Sequence, residues 1–349
     1  MSTRGMSRRT VRGDIDIGGN VSCLHFDYEA LKIATKDFGR DCKLGEGGFG
    51  PVFKVSMLFT DVAIKVLRRT KPGDKEASDL VDEQFDAEIQ ILSKFRHPNL
   101  VTLLGYSNKP GLPRCLIHEF MANGSLEDAL DFGLDRSNVL QSPTIGLPWM
   151  VRISIALDAA RGLCYLHEAI AEIAVVHRNI KSASVLLDSS FHVKIGGFGL
   201  VRAIGDPSKS DIRQSQTARI VGTSGYIAPE YYRGVITTKL DTYSFGVVLL
   251  EILTGLPGYD PNKGQEYSDL VAYIEVKKSD PNFSFIQISD DFAGDWPTRS
   301  FLKLFTIAEK CLTEKMTLRP KMSEVYLLLE DLSVMSSKLF AEQKPGKKL

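Results

Sequence analysis

The chain has 349 residues, 43% hydrophobic and 25% charged, which suits one large or two medium globular domains with ample material for a buried core. Lysine plus arginine equals aspartate plus glutamate at 43 each, so no global field draws the protein to nucleic acid or to an anionic membrane. Five cysteines (Cys23, Cys42, Cys115, Cys164 and Cys311) lie without CxxC spacing or a histidine pattern, which argues against a zinc site or a disulfide framework and for reduced thiols.

In chain order, residues 1–25 begin with the basic, Gly/Ser-rich stretch MSTRGMSRRTVRG, lack hydrophobic periodicity and read as a disordered arm. No signal-peptide core or Met-Gly myristoylation start is present. Residues 26–38 read as a short amphipathic helix leading into a domain over 26–334. Strands are expected over Cys42–Val55 and Asp61–Leu67 with a turn near Met57–Thr60, then a helix over Gln84–Phe95 with Phe85, Ile89, Ile91, Leu92 and Phe95 on one face. Strands at Leu100–Tyr106 and Arg114–Glu119 complete a β-rich unit over about 39–120.

From residue 121 to about 334 the periodicity is mostly helical: Leu126–Leu130, Trp149–Glu168, Thr238–Thr254 stopped by Gly255, Arg299–Thr313 and Lys321–Leu332. Short apolar strands are expected at Ala174–Val176, Val185–Leu187 and Val193–Ile195. The longest apolar run, around Val247–Leu253, is broken by Glu251 and is too short to span a bilayer. Residues 335–349 read as a polar C-terminal tail. The fold class that follows is α+β, a small β-rich lobe with one main helix and a larger, mostly α lobe.

Gly45-Glu46-Gly47-Gly48-Phe49-Gly50 followed by Pro51-Val52 spells G-x-G-x-x-G-x-V, a spacing that lets backbone amides approach phosphates closely. A dinucleotide fingerprint would require a helix next. Here the next element is a strand carrying Val62-Ala63-Ile64-Lys65, which makes Lys65 a phosphate lysine and Glu88, on the following helix, its ion-pair partner. A second series follows in fixed order: His177-Arg178-Asn179-Ile180-Lys181, Val185-Leu186-Leu187-Asp188, Lys194-Ile195-Gly196-Gly197-Phe198-Gly199, Gly222-Thr223, Ala228-Pro229-Glu230, Asp241 to Gly246, and Arg319-Pro320.

Together these landmarks resemble the protein-kinase superfamily. Through FDYEALKIATKDFG, HPNLVTLLGY, FMANGSLEDAL, AARGLCYLHE, GTSGYIAPEYYRG and DTYSFGVVLLEILTG the chain is similar to the Pelle, interleukin-1-receptor-associated kinase and plant receptor-like kinase branch. The resemblance covers residues 26–334 and implies a two-lobed fold with ATP in the cleft. Val52, Ala63 and Leu186 would sandwich the adenine, and a hinge would run from Glu119 to Met121. Lys181 and Thr223 match the serine/threonine type. Leu92, Leu103 or Leu104, His177 and Phe198 match an apolar stack joining the lobes. His118 falls where the branch usually has tyrosine and is expected to be a tolerated pocket residue. Thr217 is the best-placed phosphorylation candidate in a polar stretch that also holds Ser208, Ser210, Ser215, Thr223 and Ser224, with Arg178 available to pair with the phosphate.

Three positions depart from the chemistry the rest advertises. Asn179 stands at the base position and cannot accept a proton. Ser184 and Gly197 stand at the two metal-anchoring positions, where Ser184 keeps one oxygen for weak metal contact and Gly197 keeps none. The expectation is a pseudokinase that binds ATP weakly or without magnesium and acts as a scaffold or allosteric partner of other protein kinases, receptors or adaptors in the cytoplasm, with recruitment to membrane receptor complexes. The alternative is a low-activity serine/threonine kinase that transfers the ATP γ-phosphate to protein.

Overall fold

Gly105 shows how the first strand is seated: a Cβ there would lie 2.4 Å from the Leu24 carbonyl oxygen and 2.4 Å from the Phe26 ring, so only glycine admits the chain that crosses it. The computed structural model describes residues 23–57, 59–67, 75–130, 146–205, 215–217, 220–261 and 269–343. Strand β1 (Leu24–His25) pairs in parallel with β5 (Leu103–Ser107) at this crossing. The N-terminal arm read from the sequence therefore gives way to ordered strand at Leu24, and residues 1–22 lie outside the described residues.

Helix α1 (Tyr28–Ala34) opens with the Asp27 carboxylate accepting from the Ala30 amide. It stops well before Phe38, where the periodicity had placed its end. The Thr35 hydroxyl donates to the Leu31 carbonyl at 2.8 Å and accepts from the Phe38 amide at 3.0 Å, and Lys36, Asp37 and Phe38 all take positive φ. Strands β2 (Lys43–Gly47), β3 (Gly50–Met57) and β4 (Thr60–Val66) form an antiparallel meander, which β6 (Cys115–Glu119) and β5 extend to a six-stranded sheet in the order β1-β5-β6-β4-β3-β2. Along β4, Val62, Ile64 and Val66 are buried in a cluster with Tyr28, Leu31 and Phe53, while Ala63 and Lys65 alternate onto the opposite, half-buried face.

Helix α2 (Lys75–Leu92) packs beneath that second face. It begins nine residues before Gln84; its opening turns are dominated by charged residues, so hydrophobic periodicity detects only the later half. The helical lobe holds α3 (Leu126–Leu130), α4 (Trp149–Glu168), α5 (Lys239–Thr254), α6 (Leu270–Lys278), α7 (Thr298–Leu312) and α8 (Met322–Gln343). Gly255 closes α5 in the left-handed conformation at φ 62°. Helix α6 escaped the sequence reading because Leu270 and Ile274 are its only buried residues, too few to set a period. Helix α8 runs on past Leu332 to Gln343, so residues 335–343 are helix rather than tail; Ser336 is fully buried and Phe340 meets Trp149 edge-on.

The expected short strands stand where the sequence placed them: β7 (Ala174–Val176), β8 (Val185–Leu187) and β9 (Val193–Ile195). Strand β10 (Arg202–Ile204) pairs with β7, and β11 (Ser215–Gln216) pairs with β12 (Val235–Ile236). One hydrophobic cluster runs from Phe85, Leu92 and Leu103 under the sheet through Phe198 and on to Leu329 and Leu332. A sheet lobe with one main helix packed on a helical lobe is thus the α+β arrangement the sequence implied.

Candidate active site

The glycine-rich segment is the β2–β3 hairpin, with Gly47 opposite Gly50 and Gly48-Phe49 at its tip. Added Cβ atoms at Gly45 and Gly48 would meet nothing within 4 Å, so space lies open around that backbone. Phe49 folds inward instead, its ring 5.1 Å from the Lys65 ammonium. The sequence places Phe49 with the nucleotide-binding residues of the glycine-rich segment; its hold on Lys65 needs the hairpin's curvature to be seen.

Lys65 Nζ lies 2.7 Å from Glu88 Oε2, with the two side chains 13% and 2% exposed. His118 Nε2 meets the other carboxylate oxygen at 3.2 Å. Burial alone would raise the Glu88 carboxyl, but the Lys65 charge and the His118 contact outweigh it and hold it at about 2. Removing one member of such a buried pair costs about 3–5 kcal/mol, because the other is left charged and unmatched.

Val52 and Ala63 on the sheet and Leu186 below are each half-buried, as apolar residues lining a cleft would be. Glu119, at the start of the expected hinge, is tied down through its side chain. Its carboxylate Oε1 meets Lys194 at 3.0 Å and accepts from the Thr102 amide at 2.7 Å, while its own amide donates to the Thr102 carbonyl at 3.1 Å. Met121 is buried, and its carbonyl accepts from Gly124.

On the opposite side Asp241, at the start of α5 and fully buried, accepts from the His177 amide at 2.7 Å, the Arg178 amide at 2.8 Å and His167 Nε2 at 2.9 Å. That clamp fixes the loop in which Arg178 takes φ 64°. His177 is buried against Phe198, ring centroids 4.8 Å apart, and its Nε2 meets the Gly196 carbonyl at 3.0 Å; burial pushes the ring's pKa down. Leu92, Leu103, His177 and Phe198 are all at most 5% exposed; of the two leucines left open by the sequence, Leu103 is the buried one.

The three anomalous positions come together. A Cβ on Gly197 would stand 3.5 Å from Asn179 Nδ2 and 3.7 Å from Ser184 Cβ, so the space is open to a side chain although φ 81° is costly for most. The Ser184 oxygen is not held ready for a metal: it donates to the Lys181 carbonyl at 2.8 Å and accepts from the Lys181 amide at 3.0 Å. The hydroxyl expected there thus closes the loop's own turn, with one lone pair left over. Among the described residues, no group of three or more His, Cys, Asp or Glu is placed to hold a metal ion.

Arg178, expected to await a phosphate, already donates to the Leu200 carbonyl at 3.1 Å and the Tyr231 hydroxyl at 2.5 Å. Thr217 is half-buried, and its amide donates to the Gly234 carbonyl at 2.9 Å. Ser208 and Ser210 lie outside the described residues. Glu251, noted in the sequence only as a break in an apolar run, is a further polar centre. It is fully buried and accepts from the Tyr226 hydroxyl at 2.5 Å, the Ser182 hydroxyl at 3.0 Å and the Gly258 amide at 3.0 Å.

A family profile described as protein tyrosine and serine/threonine kinase matches residues 38–329. The chain is similar to three proteins of Arabidopsis thaliana that carry the name probable serine/threonine-protein kinase. It is 39% identical to PBL26 over 323 residues, covering 90% of this chain and 72% of that protein. Identity to PBL24 is 40% over 321 residues, with 90% and 76% covered. For PBL23 it is 37% over 317 residues, with 90% and 78% covered.

Proposed function

The chain belongs to the protein tyrosine and serine/threonine kinase family, and within it we propose a nucleotide-binding, serine/threonine-type kinase-like protein whose phosphoryl-transfer step is impaired. It would work through its shape, as a scaffold or allosteric partner of other kinases or of receptor and adaptor proteins on the cytoplasmic side. The observation that carries this reading is the convergence of Asn179, Ser184 and Gly197 at one point without a carboxylate among them. An asparagine there orients a hydroxyl but takes no proton, a loss of roughly 10²- to 10⁴-fold where a general base is needed.

ATP supplies the transferable phosphoryl group when bound, and the cleft residues fit it. The glycine hairpin offers open backbone, Lys65 offers a cation with Lys181 as a second, and Val52, Ala63 and Leu186 offer apolar walls. The donor set does not fit magnesium, since Gly197 has no side chain and the Ser184 hydroxyl is already bonded on both sides. We therefore assign phosphate recognition to lysines and amides alone. Recruitment to a receptor complex would have to come through a partner surface; no helix among the described residues is long and apolar enough to cross a membrane.

The intact Lys65–Glu88 pair and the buried stack through Phe198 favour a second reading, a low-activity serine/threonine kinase, and the relatives' names agree with it. Thermal melting with ATP in EDTA and in magnesium separates the two. The first reading expects equal, modest stabilisation in both and no phosphate on the purified protein by mass spectrometry. Strong magnesium-dependent stabilisation, with autophosphorylation abolished by Lys65→Met, would establish the second.

A further inference from the structure

Helices α6 and α7 both pack on α5, and where the three meet the residues just after α7 the surface opens into a groove of about 520 Å³, within the range of ligand sites. Its walls are apolar: Tyr243 and Leu250 from α5, Val271 and Ile274 from α6, Phe305 and Leu312 from α7. Val271 and Leu312 are only half-buried, and Tyr232, near Tyr243, is 67% exposed. Apolar and aromatic surface gathered in one open groove marks a contact site.

The charged residues of the groove are Glu275, Glu309, Glu314 and Lys278. Lys278 Nζ lies 2.9 Å from both Glu275 and Glu309, and its hydrogen bond to Glu309 holds its pKa above the ordinary lysine range. The ammonium therefore stays charged. Three carboxylates surround that one cation, which leaves two negative charges in excess. Glu314 is exposed and, among the described residues, has no ion-pair partner. Arg319 lies against the Tyr243 ring at 4.9 Å, but its two terminal nitrogens donate to the Glu230 carboxylate at 2.6 and 2.9 Å. Its charge is matched there and does not offset the rim.

We propose that this groove docks a basic segment of a partner protein, with an apolar side chain entering between α5, α6 and α7 and flanking arginines or lysines meeting Glu275, Glu309 and Glu314. Charge decides among the occupants. An acidic or neutral apolar segment would cover the excess carboxylates without pairing them, whereas a basic one matches them. Long basic side chains also suit the mixed lining, because their stems cover apolar wall while their heads stay at the rim. A metal ion does not fit, since among the described residues no three acidic, His or Cys side chains are placed to hold one. The purpose of the docking rests on the scaffold reading above; the docking itself does not.

The test uses the full chain and three short fluorescent peptides of equal length, built from arginine and leucine, arginine and serine, or glutamate and leucine. Fluorescence anisotropy gives each Kd, and hydrogen exchange locates the contact. The arginine–leucine peptide is expected to bind about tenfold or more tighter than either other peptide, to slow exchange in α6 and α7, and to weaken as salt is raised. Glu275→Lys/Glu314→Lys is expected to weaken it about tenfold or more; Glu314→Lys alone is read if the double variant does not melt cooperatively.

Arginine–serine binding as tight as arginine–leucine, unchanged affinity in the charge-reversed protein, or protection outside α6 and α7 overturns the proposal. If deleting residues 1–13 tightens the arginine–leucine peptide about tenfold, the chain's own basic stretch fills the groove and the partner assignment falls. Autophosphorylation of wild type with peptide binding intact would sink the scaffold reading and leave the groove standing, while absence of both would do the reverse.

Discussion

Glu251 takes three hydrogen bonds on one oxygen, while its second oxygen is buried with none, and among the described residues no cation pairs with it. Burial pushes the carboxyl up to about 7, against hydrogen bonds from Tyr226, Gly258 and Ser182 that pull the other way. Its raised folded pKa means that the neutral acid is favoured in the fold. The stability it contributes is full below its ordinary value near 4.5 and is lost as pH rises through about 7. The span corresponds to an upper limit of about 3 kcal/mol. Urea unfolding from pH 5 to pH 8 should show wild type losing stability across that window, and Glu251→Gln, which keeps the acceptor and cannot ionise, losing much less. Equal slopes in the two proteins would remove Glu251 from the account. Nothing in the sequence foretold this: an acid within an apolar helix is visible as a letter, but its lack of a cation is a fact of three dimensions. The two hydrogen bonds of the Ser184 hydroxyl escaped for a related reason, since they run to Lys181 three residues back and only backbone geometry reveals that turn.

Elements were legible where apolar residues repeat and obscure where they do not. Helix α4 and strands β7, β8 and β9 fall at their expected ends because buried residues recur through them at the right period. Helices α2 and α8 both extend beyond their periodic cores, and α6 has two buried residues in all. The extension of α8 has a measurable consequence. Ser336 and Ser300 share a buried hydrogen bond of 2.9 Å, and Phe340 covers Trp149, so the last turns are packed rather than ornamental. A chain ending after Val334 leaves the Ser300 hydroxyl buried without that partner and uncovers part of an aromatic cluster. Together these should lower unfolding stability by about 2–4 kcal/mol. Denaturant midpoints of the truncated and full chains would show it, and coincident curves would mean that residues 335–343 contribute nothing.

At the scale of the molecule, two kinds of packing divide the sheet lobe. Its upper face closes on α1 as a local cluster of Tyr28, Leu31, Phe53, Ile64 and Ile117, whereas its lower face joins the cluster that continues through the helical lobe. The lobes are therefore one hydrophobic body on the side where the cleft's chemistry sits. Phe198 is the keystone of that continuity, fully buried between His177 below and α2 above, in the segment that Gly197 turns with its left-handed backbone. The stack's members were recognisable in the sequence from their motifs, yet their meeting was not, because Leu92 lies on α2, Leu103 on β5, His177 on the loop after β7 and Phe198 on the turn after β9. Cutting Phe198 to alanine leaves a void at the joint and should cost about 3–5 kcal/mol. The loss should fall on the coupling between lobes more than on either alone. Scanning calorimetry is expected to show a single transition for wild type and a lower, split or broadened one for Phe198→Ala, with α2 losing hydrogen-exchange protection before α4 and α5. A single sharp transition that merely shifts, with α2 protected as long as α5, would mean that the sheet lobe is carried by its own upper cluster and that the stack fills space without joining the halves.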